Sequence, residues 1–144
     1  MCADLVLEGG CLCESIRYRS LKAPVFVSHC HCQNCRRHSG ALLLTHLGLP
    51  VDGFTWLREV PTYWRSSEAF ERGFCTKCGS TVAARYTEEP SIHVIPAGTL
   101  DDPEKVRADR HIMTESQVSW LRIEDDLPRY PRLSTQFEHL DLGF

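Results

Sequence analysis

Seven of the eight cysteines fall into three tight groups: Cys11-x-Cys13, Cys30-x-Cys32-x-x-Cys35 and Cys75-x-x-Cys78. Disulfides closed over the single residue between Cys11 and Cys13, or between Cys30 and Cys32, are strained, so the spacing argues against pairing there. It suits instead a soft divalent cation, on which several thiolates must converge at one point. Cys2, alone beside the first residue, reads as an incidental thiol. A chain with so many sulfurs at so few points is predicted to fold around metal.

The remaining composition is ordinary. At 144 residues the chain has the size of one domain, and 42% hydrophobic with 24% charged residues is the balance of a soluble globule. Sixteen basic against nineteen acidic residues give a net charge of -3, and this excludes the basic excess that a phosphate-gripping nucleic-acid binder carries. No stretch approaches the ~20 apolar residues of a membrane span. The opening MCADLVLEGG has no basic segment ahead of an apolar run, so no secretory signal is expected. The expected location is therefore cytoplasmic, where thiols stay reduced.

Helical periodicity is scarce. Short β-branched or alternating runs recur at Ser15–Tyr18, Val25–Val27, Thr62–Trp64, Thr81–Ala83 and Ile92–Ile95, punctuated by Gly, Pro, Asp and Asn. That pattern predicts a mainly β, single-domain fold. One helix is predicted from Gln33 to Ser39, with Arg36 and Arg37 in its last turn and Gly40 as its C-terminal cap. The segment Thr99–Val106 reads as a turn ahead of and through Pro103. The domain is taken as residues 1–131, with 132–144 a peripheral C-terminal tail.

Cys75-Thr-Lys-Cys78-Gly79 has the spacing of a zinc knuckle, in which Gly79 lets the backbone bend so that its amides face the sulfurs. A knuckle supplies two ligands and a structural zinc takes four. Cys11 and Cys13 can supply the others, because residues two apart on a strand share a face. Cys30, Cys32 and Cys35 then remain as three ligands, leaving a fourth position for water, substrate or an added thiol. The spacing leaves other divisions open: His29, His31 or a distant histidine can close a second structural site, or Cys11 and Cys13 can join the triad.

The pattern Gly10-Cys11-x-Cys13, Cys30-His31-Cys32-x-x-Cys35-Arg36 with Ser39-Gly40, and Phe74-Cys75-x-x-Cys78-Gly79-Ser80 resembles the glutathione-dependent formaldehyde-activating enzymes, whose domain also occurs in centromere protein V. The downstream string Ala97–Pro103, His111-Ile112 and Trp120 fits as well, and the likeness spans about residues 5 to 131. The resemblance implies a tent-like β fold with two Zn²⁺ ions. Cys11, Cys13, Cys75 and Cys78 would hold the structural ion, and Cys30, Cys32 and Cys35 the catalytic one. It also implies glutathione as co-substrate and carbon–sulfur lyase chemistry, forming S-hydroxymethylglutathione from glutathione and formaldehyde. One departure is visible: Glu14 stands where many members carry Gly after the second cysteine.

The chemistry can be argued from the triad. A zinc ion with an open position binds a thiol and deprotonates it, giving a nucleophile at neutral pH. Thiolate adds to so small an aldehyde unaided, so the protein's contribution is concentration and orientation. Three thiolates over-neutralise Zn²⁺, which suits thiol capture better than carbonyl polarisation. Arg36 is a candidate for binding a glutathione carboxylate, or alternatively compensates the cluster's charge and the helix terminus, as Arg37 does. His31, between two ligands, is a candidate proton shuttle, although neighbours in extended chain face opposite ways. His111 reads as a hydrogen-bonded structural histidine, and Trp56, Trp64 and Trp120 as core or pocket wall. Two other classes compete with the enzyme: a non-catalytic thiol carrier and a zinc-stabilised interaction module.

Overall fold

The computed structural model describes residues 5–133, so Cys2 and residues 134–144 of the expected tail lie outside the described residues. Ten strands and one α-helix follow in order: β1 Leu7–Gly10, β2 Arg17–Ser20, β3 Phe26–Cys30, α1 Gln33–Ser39, β4 Leu44–Pro50, β5 Phe54–Trp56, β6 Thr62–Arg65, β7 Phe70–Phe74, β8 Thr81–Tyr86, β9 Ile92–Pro96 and β10 Arg110–Ile112. The fold is mainly β, as the sequence predicts. Three strands form a small antiparallel sheet in the order β1-β2-β5, and seven form a larger one in the order β10-β3-β4-β9-β8-β7-β6. Every pairing in the larger sheet is antiparallel except that of β10 with β3.

Alternation along the strands gives the larger sheet two different faces. Val27, Leu47, Leu49, Ala83 and Ile95 point to one side, where they meet Leu7 and Tyr18 of the small sheet. Each of the Val, Leu and Ile side chains among these, removed from water, contributes about 1.5–3 kcal/mol. Phe26, Phe70, Ala84, Tyr86 and Val94 point to the other side and pack a second cluster. Cys30 follows Phe26 and Ser28 on that second side, which sets the three-cysteine group there, together with Met113.

The helix ends where its residues dictate. Cys32 caps the N-terminus, its sulfur accepting from the Cys35 N–H, and Gly40 closes the C-terminus at φ +76°. The segment after residue 99 holds a short 3-10 turn at Pro103–Lys105, as expected of a turn. No helix among the described residues is long and apolar enough to cross a membrane, which says nothing of β-barrels.

Two expectations need correction. Trp56 is half-buried beside Tyr18 and Phe54, but Trp64 and Trp120 are 60% and 70% exposed and are not core. Trp64 lies on β6, which among the described residues is the outermost strand and pairs only with β7, and Trp120 lies in irregular chain. Cys11 and Cys13 are not on a strand: β1 stops at Gly10, and both sit in the turn that follows. The turn, and not strand alternation, brings their sulfurs together.

Candidate metal centres

The turn after β1 doubles back so that the Cys11 N–H bonds the Ile16 carbonyl and the Glu14 N–H bonds the Cys11 carbonyl. Glu14 occupies the left-handed region at φ +64°, which explains why glycine suits this position. The knuckle is the same device on the other side. The Gly79 N–H reaches the Cys75 carbonyl at 2.8 Å, with Gly79 at φ +76°. Together the two turns bring the sulfurs of Cys11, Cys13, Cys75 and Cys78 within 4.8 Å of one another. Cys11 and Cys13 are 3.6 Å apart, and Cys13 and Cys75 3.7 Å. A tetrahedral zinc with ~2.3 Å bonds sets its sulfurs about 3.8 Å apart, so the donor set and spacing fit such an ion.

Hydroxyls surround these sulfurs. Ser15 Oγ lies 3.1 Å from Cys13 and 3.3 Å from Cys75, and Ser80 Oγ lies 3.1 Å from Cys78. The Leu12 N–H donates to Ser80 Oγ, which leaves that hydroxyl's own proton for Cys78. The Ser80 bond is the main reason the Cys78 thiol is drawn down to about 5. At Cys78 the thiolate form that a metal requires is therefore favoured before any ion arrives.

The second group is buried. Cys30, Cys32 and Cys35 are all under 5% exposed, and their sulfurs also fall within 4.8 Å of one another. β3 delivers Cys30, the helix N-cap delivers Cys32, and the first turn of α1 delivers Cys35, 3.6 Å from Cys30. Hydrogen bonds from Cys30 and Cys35 draw Cys32 down, while Cys30 is pushed up by its two sulfur neighbours and by burial. Three thiolates this close repel, and only a cation lets all three ionise. Four sulfurs thus meet at one centre and three at the other, with Cys11 and Cys13 on the knuckle and not on the triad.

Two residues beside the triad carry no local sequence signal. Arg72 of β7, 2% exposed, donates through Nη1 to Cys35 Sγ at 3.6 Å and stacks its guanidinium over Phe70 at 4.8 Å. Its Nη2 has no hydrogen-bond partner among the described residues. His46 of β4 is buried in the wall of a cavity of about 20 Å³ that Cys30, Cys35, Arg72 and Met113 also line, large enough for one small group. Burial, then the charge of Arg72, pulls the His46 imidazole down to about 4, so it is neutral. The alternation of β3, β4 and β7 was the available clue: Cys30, His46 and Arg72 all fall on one face.

His31 does not face the sulfurs. It is fully buried, with Nε2 at 2.9 Å from His111 Nδ1, and His111 Nε2 lies 2.8 Å from Asp125. The expectation for His111 as a hydrogen-bonded buried histidine agrees with this. Arg36 donates to the Ser116 carbonyl at 3.2 Å, and Arg37 is exposed. A more open cleft of about 450 Å³ lies against Cys11, His38, Thr81 and Thr99, beside the four-sulfur centre.

Known proteins resemble this chain in sequence and in fold. A Schizosaccharomyces pombe protein named an uncharacterized lyase is 27% identical over 110 residues, covering 76% of this chain and 80% of its own. A crystal structure of a Rhodobacter sphaeroides protein superposes with a TM-score of 0.53 at 18% identity, over 65% of this chain and 87% of that one, and supports the fold. The model of the glutathione-dependent formaldehyde-activating enzymes matches residues 6–116, a span that contains all seven clustered cysteines and both centres. The chain belongs to the glutathione-dependent formaldehyde-activating enzyme family.

Proposed function

We propose that the protein is a zinc-dependent carbon–sulfur lyase that makes and breaks the adduct of glutathione, or a related thiol, with formaldehyde or another small aldehyde. The observation that carries this reading is the buried triad: three sulfurs at one point with a guanidinium on Cys35. The family and the lyase name of the S. pombe relative support it. In this reading Cys11, Cys13, Cys75 and Cys78 hold a structural Zn²⁺, and Cys30, Cys32 and Cys35 hold a second. A zinc ion held by Cys30, Cys32 and Cys35 would supply binding and deprotonation of a thiol at neutral pH.

The chain's own residues supply the rest. Three thiolates on a dication leave one negative charge, and Arg72 cancels it, so an incoming thiolate is not repelled. As the carbon–sulfur bond forms, the carbonyl π bond opens, the oxygen gains negative charge, and it takes back through solvent the proton that the thiol gave up. The neutral ring of His46, in the cavity wall, is placed to donate a hydrogen bond to that oxygen. Arg36 has guanidinium donors beyond the one on Ser116 for a glutathione carboxylate. His31, turned toward His111, is assigned a positioning role for the loop between Cys30 and Cys32. The reaction belongs in the cytosol, where seven reduced cysteines persist.

The test mixes protein, glutathione and formaldehyde, following adduct formation by NMR and thiol binding by calorimetry. Accelerated formation that is lost in Cys32→Ser, with the circular dichroism unchanged, is expected. Binding without acceleration identifies a carrier. Neither binding nor acceleration overturns the reading.

A further inference from the structure

We propose that His29, His111 and Asp125 form a third metal site, separate from both cysteine groups, for a divalent first-row transition-metal ion. One ligand atom from each lies within 4.8 Å of the others. The sheet builds the site by register: Thr45 of β4, His29 of β3 and His111 of β10 lie side by side across three adjacent strands. Asp125 arrives from the segment that returns along β10. The His111 N–H bonds the Pro128 carbonyl and its carbonyl accepts from the Tyr130 N–H, so the returning chain is fastened at the site.

Each ligand has the outer partner that a metal ligand needs. His29 Nδ1 lies 2.7 Å from Thr45 Oγ1, which leaves Nε2 to ligate. His111 Nδ1 is engaged by His31 Nε2 at 2.9 Å, which leaves its Nε2, already 2.8 Å from Asp125 Oδ2. The other carboxylate oxygen, Oδ1, accepts from the Leu127 N–H at 3.1 Å and lies 3.8 Å from Arg129 Nη2. Two imidazoles and one carboxylate are a harder donor set than thiolates and suit Zn²⁺, Co²⁺, Ni²⁺ or Fe²⁺, with open positions for water. His111 is fully buried, His29 half-buried and Asp125 exposed, so an ion can enter from the Asp125 side.

The test reads a difference, so it does not depend on how many ions the cysteines hold. Wild type, His29→Gln, Asp125→Asn and the double variant are dialysed against micromolar Zn²⁺ and their zinc is counted by elemental analysis. The double variant is expected to hold one equivalent fewer than wild type, and each single variant to bind that equivalent about tenfold or more weakly. Imidazole resonances of His29 and His111 should shift on zinc addition, while those of His93 stay fixed. Equal zinc in wild type and double variant overturns the proposal. So do unmoved His29 and His111 resonances in wild type, a readout that holds even if a variant misfolds.

Discussion

Arg72 reaches from the middle of β7 to the sulfur of Cys35 in α1, 3.6 Å away, and is the one cation bonded to the triad among the described residues. Arg72→Met removes the charge that balances three thiolates in a buried place. In protein loaded with zinc, an ion held at the triad as proposed should then be lost to a chelator at least tenfold faster, with Arg72→Lys intermediate because an ammonium lacks the planar fork. Release kinetics with a colorimetric chelator check this, and identical rates in all three proteins would remove Arg72 from the site.

Cys75→Ser should act on folding. The four-sulfur centre joins residues 11–13 to residues 75–78, and metal-binding free energy at such a centre is folding free energy, of order 10 kcal/mol. Insolubility or a large drop in melting temperature is expected. A soluble variant with unchanged melting would show that the centre does not hold the fold.

Glu14→Gly should stabilise. A left-handed non-glycine residue costs ~1–2 kcal/mol, against the ~0.5–1 kcal/mol that glycine's freedom in the unfolded chain costs. The net gain is about 0.5–1 kcal/mol, read as a small rise in denaturation midpoint at constant slope. A lower midpoint would mean that the Glu14 side chain contributes more than its backbone strain costs.

His46 gives stability a pH dependence. Burial holds its folded value near 4, below the ~6.5 of the unfolded chain, so unfolding takes up a proton in that window. The contribution is complete above pH 6.5 and is lost as the pH falls toward 4, on the order of 3 kcal/mol in all. Between pH 7 and 5, His46→Gln should lose less stability than wild type. Parallel curves would place the titration elsewhere.

How much was legible depended on the range of the interaction that fixed each feature. The helix from Gln33 to Ser39 and its Gly40 cap follow from neighbours in sequence, as does the Gly79 turn of the knuckle. Counting ligands suggests four cysteines and three but leaves other divisions open, and it is the two turns that set Cys11 and Cys13 beside Cys75 and Cys78. Arg72 and His46 had no such signal, because their place depends on which strands pair and on which face of the sheet each residue falls. Asp125 is brought to His111 by a returning segment with no regular structure of its own. Trp64 reads as core by residue type and is exposed because its strand is an edge, which composition does not encode.

The parallel pairing of β10 with β3 has a consequence for synthesis. His31 gives its backbone N–H to the Ile112 carbonyl and its ring to His111, a partner 80 residues further along the chain. A ribosome adding about 5–20 residues per second needs roughly 4–16 seconds to make that distance. For those seconds the nascent chain carries three closely spaced thiols without the strand that will flank them, open to ions and oxidants from which the finished fold, with each of the three under 5% exposed, screens them.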